Sequence, residues 1–230
     1  MRRETTTSTI ERDLDESTSA ITGSEPHPCV LAPQVRPQQT GMRCAGQVIP
    51  TGILCRSLPW TESDYLALGV TAERIELLDG ALLIGPPPSV RHQVIFGALA
   101  ATLTPGCVAA DRTLLPVVNL RLSSSRILNP DLVVTAELEL TADCVPASAV
   151  LLIGEIAAPH TAVIDRLLKP HVYAVAGIEW YLLVEQETLT LRLHRLEGSR
   201  YVRQSTTRVG EVLELTEPVR ATIRPEELLP

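Results

Sequence analysis

The sequence predicts a single α+β domain that follows an irregular N-terminal tail. Of its 230 residues, 45% are hydrophobic and 20% are charged, so the chain has enough apolar side chains for one sizeable core. Three helical patterns and a larger number of strand-like runs follow residue 57, and no internal repeat relates them. Because helices and strands are segregated and do not alternate as regular βαβ units, the α+β class is favoured.

Residues 1–56 are rich in threonine, serine and proline and show no strand or helix periodicity, so we predict a disordered tail before a folded domain over 57–230. No apolar run approaches the roughly 18 to 20 residues of a membrane span, and the N-terminus lacks the apolar stretch of a secretory signal. We therefore expect a cytoplasmic protein with no membrane partner. The five cysteines form no C-x-x-C pair and predict neither a disulfide framework nor a zinc ribbon.

The net charge of −7 and the low aromatic content of 3% limit how this chain could bind nucleic acid. An acidic protein does not hold phosphates over its whole surface, and few rings are present for stacking on bases. A local basic strip within an enzyme is compatible with this charge. Lys169 is the only lysine of the chain, since the other cationic residues are arginines.

The first predicted elements are a short helix, a hairpin and a long helix. The letters TESD at 61–64 resemble a capping box that begins the short helix, and Asp79-Gly80 separates two apolar runs as the turn of a hairpin. Ser89 is a suitable N-cap for the amphipathic pattern SVRHQVIFGALAATL. We expect this helix to stop near Pro105-Gly106.

The remaining elements are strands around one further helix. Three predicted strands lie around CVAADR, LPVVNLRL and DLVVTAEL, the last entered through Asn129-Pro130. AVLLIGEIAAP is a buried strand, TAVIDRLLKPHVYAVAG is a helix that ends at Gly177, and EWYLLVE and TLTLRLHRL are further strands. In TLTLRLHRL the leucines share a face toward the core, whereas Arg192 and His194 share a face toward water. The C-terminal RPEELL is at most a short helix.

Three carboxylates lie in apolar strands, which is an unusual place for them in a globular domain. Glu155 is within AVLLIGEIAAP, Asp131 opens the strand after Pro130, and Glu76 is in the first strand of the hairpin. Burial of an unpaired carboxylate costs several kcal/mol, so each requires a cation. Converging carboxylates without a histidine or cysteine cluster suit a hard cation such as Mg²⁺ or Mn²⁺. Pairing of each carboxylate with an arginine is the alternative.

Lys169 belongs to a polar stripe on the helix that follows Glu155. Thr161, Asp165, Lys169 and Tyr173 recur at steps of four residues and therefore share one helix face. This face could point across the sheet toward the carboxylates. Alternatively it is exposed to solvent, where the Asp165–Lys169 pair would contribute only about 0.3 to 0.5 kcal/mol.

Five segments of the domain carry a family resemblance, and they are RIELLDGALL, PPPSVRHQ, NPDLVV, GEIAAPHTAVIDRLLK and YAVAGIEWYLLVE. Together they resemble the Uma-type family of bacterial restriction endonucleases, a branch of the PD-(D/E)XK nuclease superfamily. The resemblance spans residues 58–230. It implies a restriction-endonuclease-like fold, in which a mixed sheet is flanked by helices.

The resemblance also implies which residues form the active site. Asp131 corresponds to the aspartate of the PD motif, Glu155 to its second acidic residue, and Glu76 to the glutamate of the family's hairpin. The superfamily lysine usually lies two residues after the second acid, where this chain has Ala157. The family's own pattern places it further on, and Lys169 matches that position.

The chain departs from the family pattern beside these residues. Ala158 and His160 replace serines of the family on the two sides of Pro159. Pro170 follows Lys169 directly, and a proline within a helix removes a hydrogen bond and disfavours helical geometry at the residue before it. A kink at this point could re-aim the lysine, or it could mark an inactive copy.

The implied function is a metal-dependent endonuclease that hydrolyses DNA phosphodiester bonds, with Mg²⁺ as its cofactor and Mn²⁺ as a substitute. Asp131 and Glu155 would bind the metal, and Glu76 would be a further ligand or, alternatively, would hold one of the ligands in place. Lys169 would stabilise the charge that develops on the phosphate. A homodimer is left open. The residues predicted to contact nucleic acid are His92 and four arginines, Arg192, Arg195, Arg200 and Arg203. Capping or structure is the alternative for the histidine, and a solvated hairpin face is the alternative for the arginines.

Two other functions compete with this prediction. A catalytically silent module could keep the nuclease fold and bind DNA or a protein partner without cleaving it. A hydrolase built on Ser89 and His92 would need a G-x-S-x-G motif and a placed acid, and the sequence has neither.

Overall fold

The protein is described here by a computed structural model that covers residues 41–44, 47–50, 59–71, 73–158 and 163–230. The chain divides into two compact units, Met1–Cys55 and Arg56–Pro230. In the first unit, β1 (Gly41–Cys44) and β2 (Gln47–Pro50) form an antiparallel pair. The rest of the tail predicted to be disordered lies outside the described residues, and its disorder stays a prediction.

The second unit contains both helices and strands, which confirms the α+β prediction. Its helices are α1 (Glu62–Leu66), α2 (Val90–Ala109) and α3 (Lys169–Val175), and a π-helical turn, Ile164–Leu168, leads directly into α3. Short 3-10 turns occupy Ala147–Ala149 and Pro225–Leu228. Its strands are β3 (Arg74–Leu78), β4 (Ala81–Gly85), β5 (Thr113–Pro116), β6 (Leu120–Ser123), β7 (Arg126–Leu128), β8 (Leu132–Thr135), β9 (Val145–Pro146), β10 (Val150–Ala157), β11 (Trp180–Glu185), β12 (Thr190–Glu197), β13 (Arg200–Thr207), β14 (Leu213–Leu215) and β15 (Ala221–Ile223).

Two larger sheets and a ribbon organise these strands. The six-stranded sheet has the order β13-β12-β11-β10-β8-β5, the five-stranded sheet has the order β4-β3-β7-β6-β9, and β14 pairs with β15. Within the six-stranded sheet β10 and β11 are parallel, and the other pairs are antiparallel. A parallel pair needs a long crossover, and the π-turn with α3 supplies it.

Apolar clusters cover both faces of the six-stranded sheet. On one face α2 packs through Ile95, Leu99 and Leu103, which recur at steps of four and are fully buried. The cluster on the other face combines α3 with residues of both sheets, namely Val172, Tyr173, Ile153, Tyr181, Leu120 and Leu128. Residues of the two sheets and of α3 therefore share this second cluster.

By length and composition, α2 could cross a membrane. The same helix contributes Ile95, Leu99, Leu103 and Cys107 to the core, and core helices of globular domains meet the same criteria.

Three local predictions agree with the structure. Thr61 and Asp64 form the reciprocal capping box of α1, with distances of 3.2 and 3.1 Å. Asp79 and Gly80 have φ of 50° and 81°, as the two-residue turn between β3 and β4 requires. The Ser89 hydroxyl accepts a hydrogen bond from the first turn of α2 and caps this helix.

The predicted strand CVAADR is wrong, because α2 continues past Pro105 and ends at Ala109. Proline in a helix interior costs about 3 kcal/mol, but Leu103 and Cys107 on either side of it are buried in the core and hold the helix together. Gly106 permits close packing there, since a Cβ at this position would lie 2.1 Å from the carbonyl oxygen of Arg220.

The predicted strand LPVVNLRL is in fact two strands in different sheets. The chain leaves the six-stranded sheet at Pro116 and joins the five-stranded sheet at Leu120. The sequence also fails to indicate β7, β9, β14 and β15, which have two or three residues each and thus no measurable period. β13, the remaining strand of the second unit that the sequence does not predict, has the largely polar sequence RYVRQSTT. β1 and β2 of the first unit lie in the segment for which the sequence predicts no strand.

The predicted water-facing side of β12 is wrong as well. The ring of His194 packs against that of Tyr181 with 5.8 Å between centroids, and Arg192 pairs with the buried carboxylate of Glu185. Both residues are half-buried, because this face of the sheet is the one that contacts α3.

Candidate active site

Asp131, directly before β8, lies next to Glu155 of β10. The antiparallel register pairs Gly154 with Leu132, so Asp131, one residue before Leu132, lies beside Glu155. Because side chains alternate along a strand, both carboxylates point to the face that contacts α3. The main-chain N–H of Ile156 donates to Oδ2 of Asp131 at 2.8 Å and holds this carboxylate against β10.

Glu76 reaches the same place from the five-stranded sheet. The segment 129–131 leads from β7 in that sheet to β8 in the other, and the main-chain N–H of Asn129 donates to Oε1 of Glu76 at 2.8 Å. The side-chain amide of Asn129 donates in turn to Oδ1 of Asn119 at 2.9 Å. The connection between the sheets therefore holds Glu76 and Asp131 side by side.

The ammonium group of Lys169 lies among three carboxylates. Its Nζ is 3.1 Å from Oε1 of Glu155, 3.3 Å from Oε1 of Glu76 and 3.4 Å from Oδ1 of Asp165. Lys169 and Asp165 are each only 4% exposed, so the alternative of a solvent-exposed helix face is wrong. The structure brings all four predicted catalytic residues together.

Pro170 does not turn Lys169 away from this site, because the preceding π-turn accommodates the proline. The N–H of Lys169 bonds to the carbonyl oxygen of Ile164, five residues back. The next bond of this kind would need an N–H at Pro170, which proline lacks. The carbonyl oxygen of Asp165 accepts a hydrogen bond from the Tyr181 hydroxyl at 2.6 Å instead.

Arg74 is a site residue that the sequence reasoning missed. Its Nη1 donates to Oδ1 of Asp131 at 2.7 Å, its Nη2 lies 3.8 Å from Oε2 of Glu155, and its Nε lies 4.0 Å from Oε1 of Glu76. Each nitrogen of the guanidinium thus faces a different one of the three predicted metal ligands. The spacing of two residues from Glu76 on a predicted strand is the sequence feature that could have identified it.

His92 and Tyr173 complete the contacts of the two central carboxylates. Nε2 of His92, a residue in the first turn of α2, lies 3.1 Å from Oδ2 of Asp131. The Tyr173 hydroxyl donates to Oε1 of Glu155 at 2.7 Å. His92 was predicted to contact nucleic acid, and Tyr173 was recognised only as a member of the polar stripe.

The two central carboxylates have opposite electrostatic environments. Burial by itself raises the pKa of Asp131, but the hydrogen bond from His92 and the charge of Arg74 outweigh it and hold this pKa well below its usual range. Burial raises the pKa of Glu155 to about 8, even though the charge of Lys169 lowers it. Burial also opposes the charge of Lys169, yet Glu155 and Glu76 keep the pKa of its ammonium above the usual value.

A cavity of about 250 Å³ opens onto most of this site, although Glu155 is not part of its lining. The site residues that line it are Arg74, Glu76, His92, Asp131, Asp165 and Lys169. Its apolar lining comes from the hairpin β3–β4, the three prolines that follow it, and Ile156, Ala158 and Ile164. Gln186, at the end of β11, also lines the cavity and is 6% exposed. The cavity is the route by which a substrate could reach the carboxylates.

The arginines predicted to contact nucleic acid do not share one environment. Arg192 pairs with Glu185, and Nη2 of Arg195 lies 2.7 Å from Oε1 of Glu179. The other two, Arg200 and Arg203, are exposed on the edge strand β13. Thr161 of the polar stripe, and Pro159 and His160 beside it, lie outside the described residues.

Whether the site suits a divalent cation can be judged from its donors and its charge. Glu76, Asp131, Glu155 and Asp165 offer only oxygen, which suits Mg²⁺ or Mn²⁺. When ionised, these four carboxylates exceed the charges of Arg74 and Lys169 by two. Burial is the largest cause of the raised pKa of Glu155, and the negative charges of Asp131 and Asp165 add to it. In donor chemistry and charge the residues therefore fit a divalent cation.

The geometry of the described residues differs from a ready metal site in one respect. Among them, no group of three or more histidine, cysteine, aspartate or glutamate side chains is arranged to hold a metal ion. The carboxylates are paired with Arg74 and Lys169 instead, which agrees in part with the alternative that arginine satisfies them.

Comparisons with known proteins identify the family. The model of the Uma2 family, described as "Putative restriction endonuclease", matches residues 63–225. A crystal structure of a "putative nuclease belonging to DUF820" from Anabaena variabilis is similar, with a TM-score of 0.58 and 15% identity over 74% of this chain and 97% of that one. No curated protein matches. The family match covers well over half of the chain, which therefore belongs to the Uma2 family of restriction-endonuclease-like proteins.

Proposed function

We propose that this protein is a metal-dependent endonuclease that hydrolyses DNA phosphodiester bonds. The observation that carries the proposal is the convergence of Glu76, Asp131, Glu155 and Lys169 at one buried cluster that opens to a cavity. Buried charged groups are costly, and such a cluster is typical of an active site.

Asp131, Glu155 and Glu76 would hold the cation, Mg²⁺ or Mn²⁺ in its place. When bound, such an ion lowers the pKa of a bound water and offsets the charge that builds on the phosphate. His92 and the N–H of Ile156 orient the carboxylate of Asp131, and Tyr173 orients that of Glu155. The protein therefore supplies ligands in fixed positions.

Lys169 would act on the reacting groups. Its ammonium is a compact charge with three rotatable donors, so it can orient the attacking water and stabilise the negative charge that develops on the phosphate oxygens. The contacts of Lys169 with Glu155 and Glu76 support this role, because they place its charge beside the proposed metal ligands.

DNA is the proposed partner, and exposed arginines would hold its backbone. Arg200 and Arg203 are exposed and are the best candidates of the four, since Arg192 and Arg195 pair with glutamates. Contacts of this kind would make DNA binding weaker at higher salt without making it sequence-specific.

A catalytically silent nuclease-like module is the second candidate. The pairing of the carboxylates with Arg74 and Lys169 favours it, because a protein that never binds metal would need such cations permanently. The two functions differ in metal binding, and this difference can be measured.

Incubation of the purified protein with supercoiled plasmid in Mg²⁺, Mn²⁺ or EDTA tests the proposal. We expect nicked or linear DNA with either metal and none with EDTA. Asp131→Asn and Glu155→Gln should abolish cleavage and also the rise in melting temperature that metal gives the wild type. An inactive wild type that is not stabilised by metal would favour the silent module.

A further inference from the structure

We propose that Arg74 occupies the centre of the metal site in the metal-free protein and that a divalent cation must displace it to bind. Arg74 is then a positioning residue that holds the three ligand carboxylates in place until the metal arrives. This inference rests on the proposed function, since it concerns the same metal ligands.

The geometry of the guanidinium carries the inference. Its three nitrogens face Asp131, Glu155 and Glu76 at 2.7, 3.8 and 4.0 Å. Lys169 does not occupy an equivalent position, because its contacts are with Glu76, Glu155 and Asp165. Among the described residues, Arg74 is the cation that contacts all three predicted ligands at once.

The hydrogen bonding of Arg74 is incomplete. Its Nη1 bonds to Asp131, but Nε and Nη2 are buried and have no hydrogen-bond partner within the described part of the chain. Buried donors without acceptors are unfavourable by about 1 to 3 kcal/mol each, so the guanidinium is held there by charge more than by a complete set of hydrogen bonds. A cation held in this way can be exchanged for one of higher charge.

Arg74 also has room to leave. Its side chain is 21% exposed, and the residue lines the 250 Å³ cavity beside the carboxylates as well as a neighbouring cavity of about 520 Å³. The long arginine side chain can therefore rotate toward solvent while β3 and Glu76 stay in place.

Competition of this kind lowers the apparent affinity for metal. When a binding-competent state is only a fraction of the population, the apparent dissociation constant is the intrinsic one divided by that fraction. Removal of Arg74 should therefore tighten metal binding. If Arg74 only shaped the site, its removal would leave the metal affinity unchanged or lower it.

The test is calorimetric titration of the metal-free full-length protein with Mn²⁺. We expect Arg74→Gln to bind Mn²⁺ at least about tenfold more tightly than the wild type, as a competent fraction of a tenth or less implies. Arg74→Lys keeps the positive charge but cannot face three carboxylates at once. The Mn²⁺ affinity of this variant should therefore lie between those of the wild type and Arg74→Gln. Arg126→Gln is the matched control, since Arg126 pairs with Asp79 on the surface and should not affect Mn²⁺.

The outcomes separate this inference from the proposed function. If the wild type binds Mn²⁺ and both Arg74 variants bind it equally or more weakly, Arg74 does not compete with the metal and the inference is overturned. The proposed metal site is supported by that result. Absence of Mn²⁺ binding in folded wild type and in both variants overturns the metal site and the inference together. If Arg74→Gln does not fold, Arg74→Lys decides, and an affinity no higher than that of the wild type overturns the inference.

Discussion

Glu155 is the most deeply buried of the charged residues at the site. It is 1% exposed, accepts hydrogen bonds from Lys169 and Tyr173, and lies beside Asp131, the residue directly before the adjacent strand β8. Burial and the negative charge of Asp131 both favour its protonated form. In the metal-free protein this proton compensates part of the charge that a divalent cation would compensate.

We expect this proton to make the stability of the metal-free protein depend on pH. The pKa of Glu155 is raised from 4.5 to about 8 on folding, so its stabilising contribution is complete below pH 4.5 and is lost as the pH rises through 8. The pKa of Asp131 is lowered on folding, so the stabilising contribution of this carboxylate is lost only at more acidic pH. Urea unfolding in EDTA between pH 5 and 8 should show the decline in the wild type and a flatter profile in Glu155→Gln. Parallel profiles would contradict the raised pKa.

At this scale the sequence predicts part of the site. Glu76, Asp131 and Glu155 stand out because each carboxylate is unusual within an apolar strand, and Lys169 is the only lysine. Arg74 does not stand out, since an arginine at the start of a strand is ordinary. Its role arises only when two separate sheets bring their carboxylates around it.

Among the secondary-structure elements, the π-turn before α3 has the most direct effect on the site. It sets the rotation of Asp165 and Lys169, and Pro170, two residues after its end, has no N–H to continue its hydrogen bonding. The Tyr181 hydroxyl from β11 provides the bond that the proline cannot. The position of Lys169 therefore depends on a tyrosine in the neighbouring strand.

We predict that Tyr181→Phe loosens this segment. Loss of the hydroxyl removes a buried hydrogen bond to the carbonyl oxygen of Asp165, and such a bond contributes about 0.5 to 1.5 kcal/mol to the unfolding free energy. Urea unfolding should show this loss, and plasmid cleavage should fall because Lys169 is less well held. Tyr201→Phe is the matched control, since the hydroxyl that it removes bonds to the carbonyl oxygen of Ile178 and not to that of Asp165. An equal loss of cleavage in both variants would show that the Tyr181 hydroxyl has no specific role in positioning Lys169.

Elements with a clear period could be predicted, and elements without one could not. The buried strand around Glu155 and the hairpin at Asp79-Gly80 were predicted because apolar runs and a turn dipeptide define them. The end of α2 was missed because core packing around Pro105 outweighs the local preference of proline. The π-turn has no characteristic sequence pattern, so it could not be predicted from the sequence.

At the scale of the whole molecule, the site depends on the meeting of two sheets. Glu155 comes from the six-stranded sheet, Glu76 and Arg74 come from the five-stranded sheet, and Asp131 lies in the connection directly before β8. The segment 129–131 joins the sheets and bonds to Glu76. The general class of the fold could be predicted from composition and pattern, but the assignment of strands to two sheets follows from long-range pairing that no local pattern encodes.

The N-terminal tail allows a prediction about the whole chain. We expect deletion of residues 1–56 to leave the melting temperature of the protein essentially unchanged, since this segment has little of the periodic apolar pattern that packs a core. Thermal unfolding followed by circular dichroism measures the effect. A melting temperature lowered by more than a few degrees would show that the tail contributes to the stability of the domain.

Plasmid cleavage in Mg²⁺ by Lys169→Ala, compared with the wild type, tests most directly the claim that this cluster is the active site of a nuclease. Lys169 contacts Glu76 and Glu155, and loss of one preorganised donor at an oxyanion typically costs about 10²-fold or more in rate. Lys169→Arg should also be impaired, because a planar guanidinium does not replace a compact charge. With circular dichroism showing both variants folded, we predict a loss of at least that size. Full activity in folded Lys169→Ala would contradict the claim.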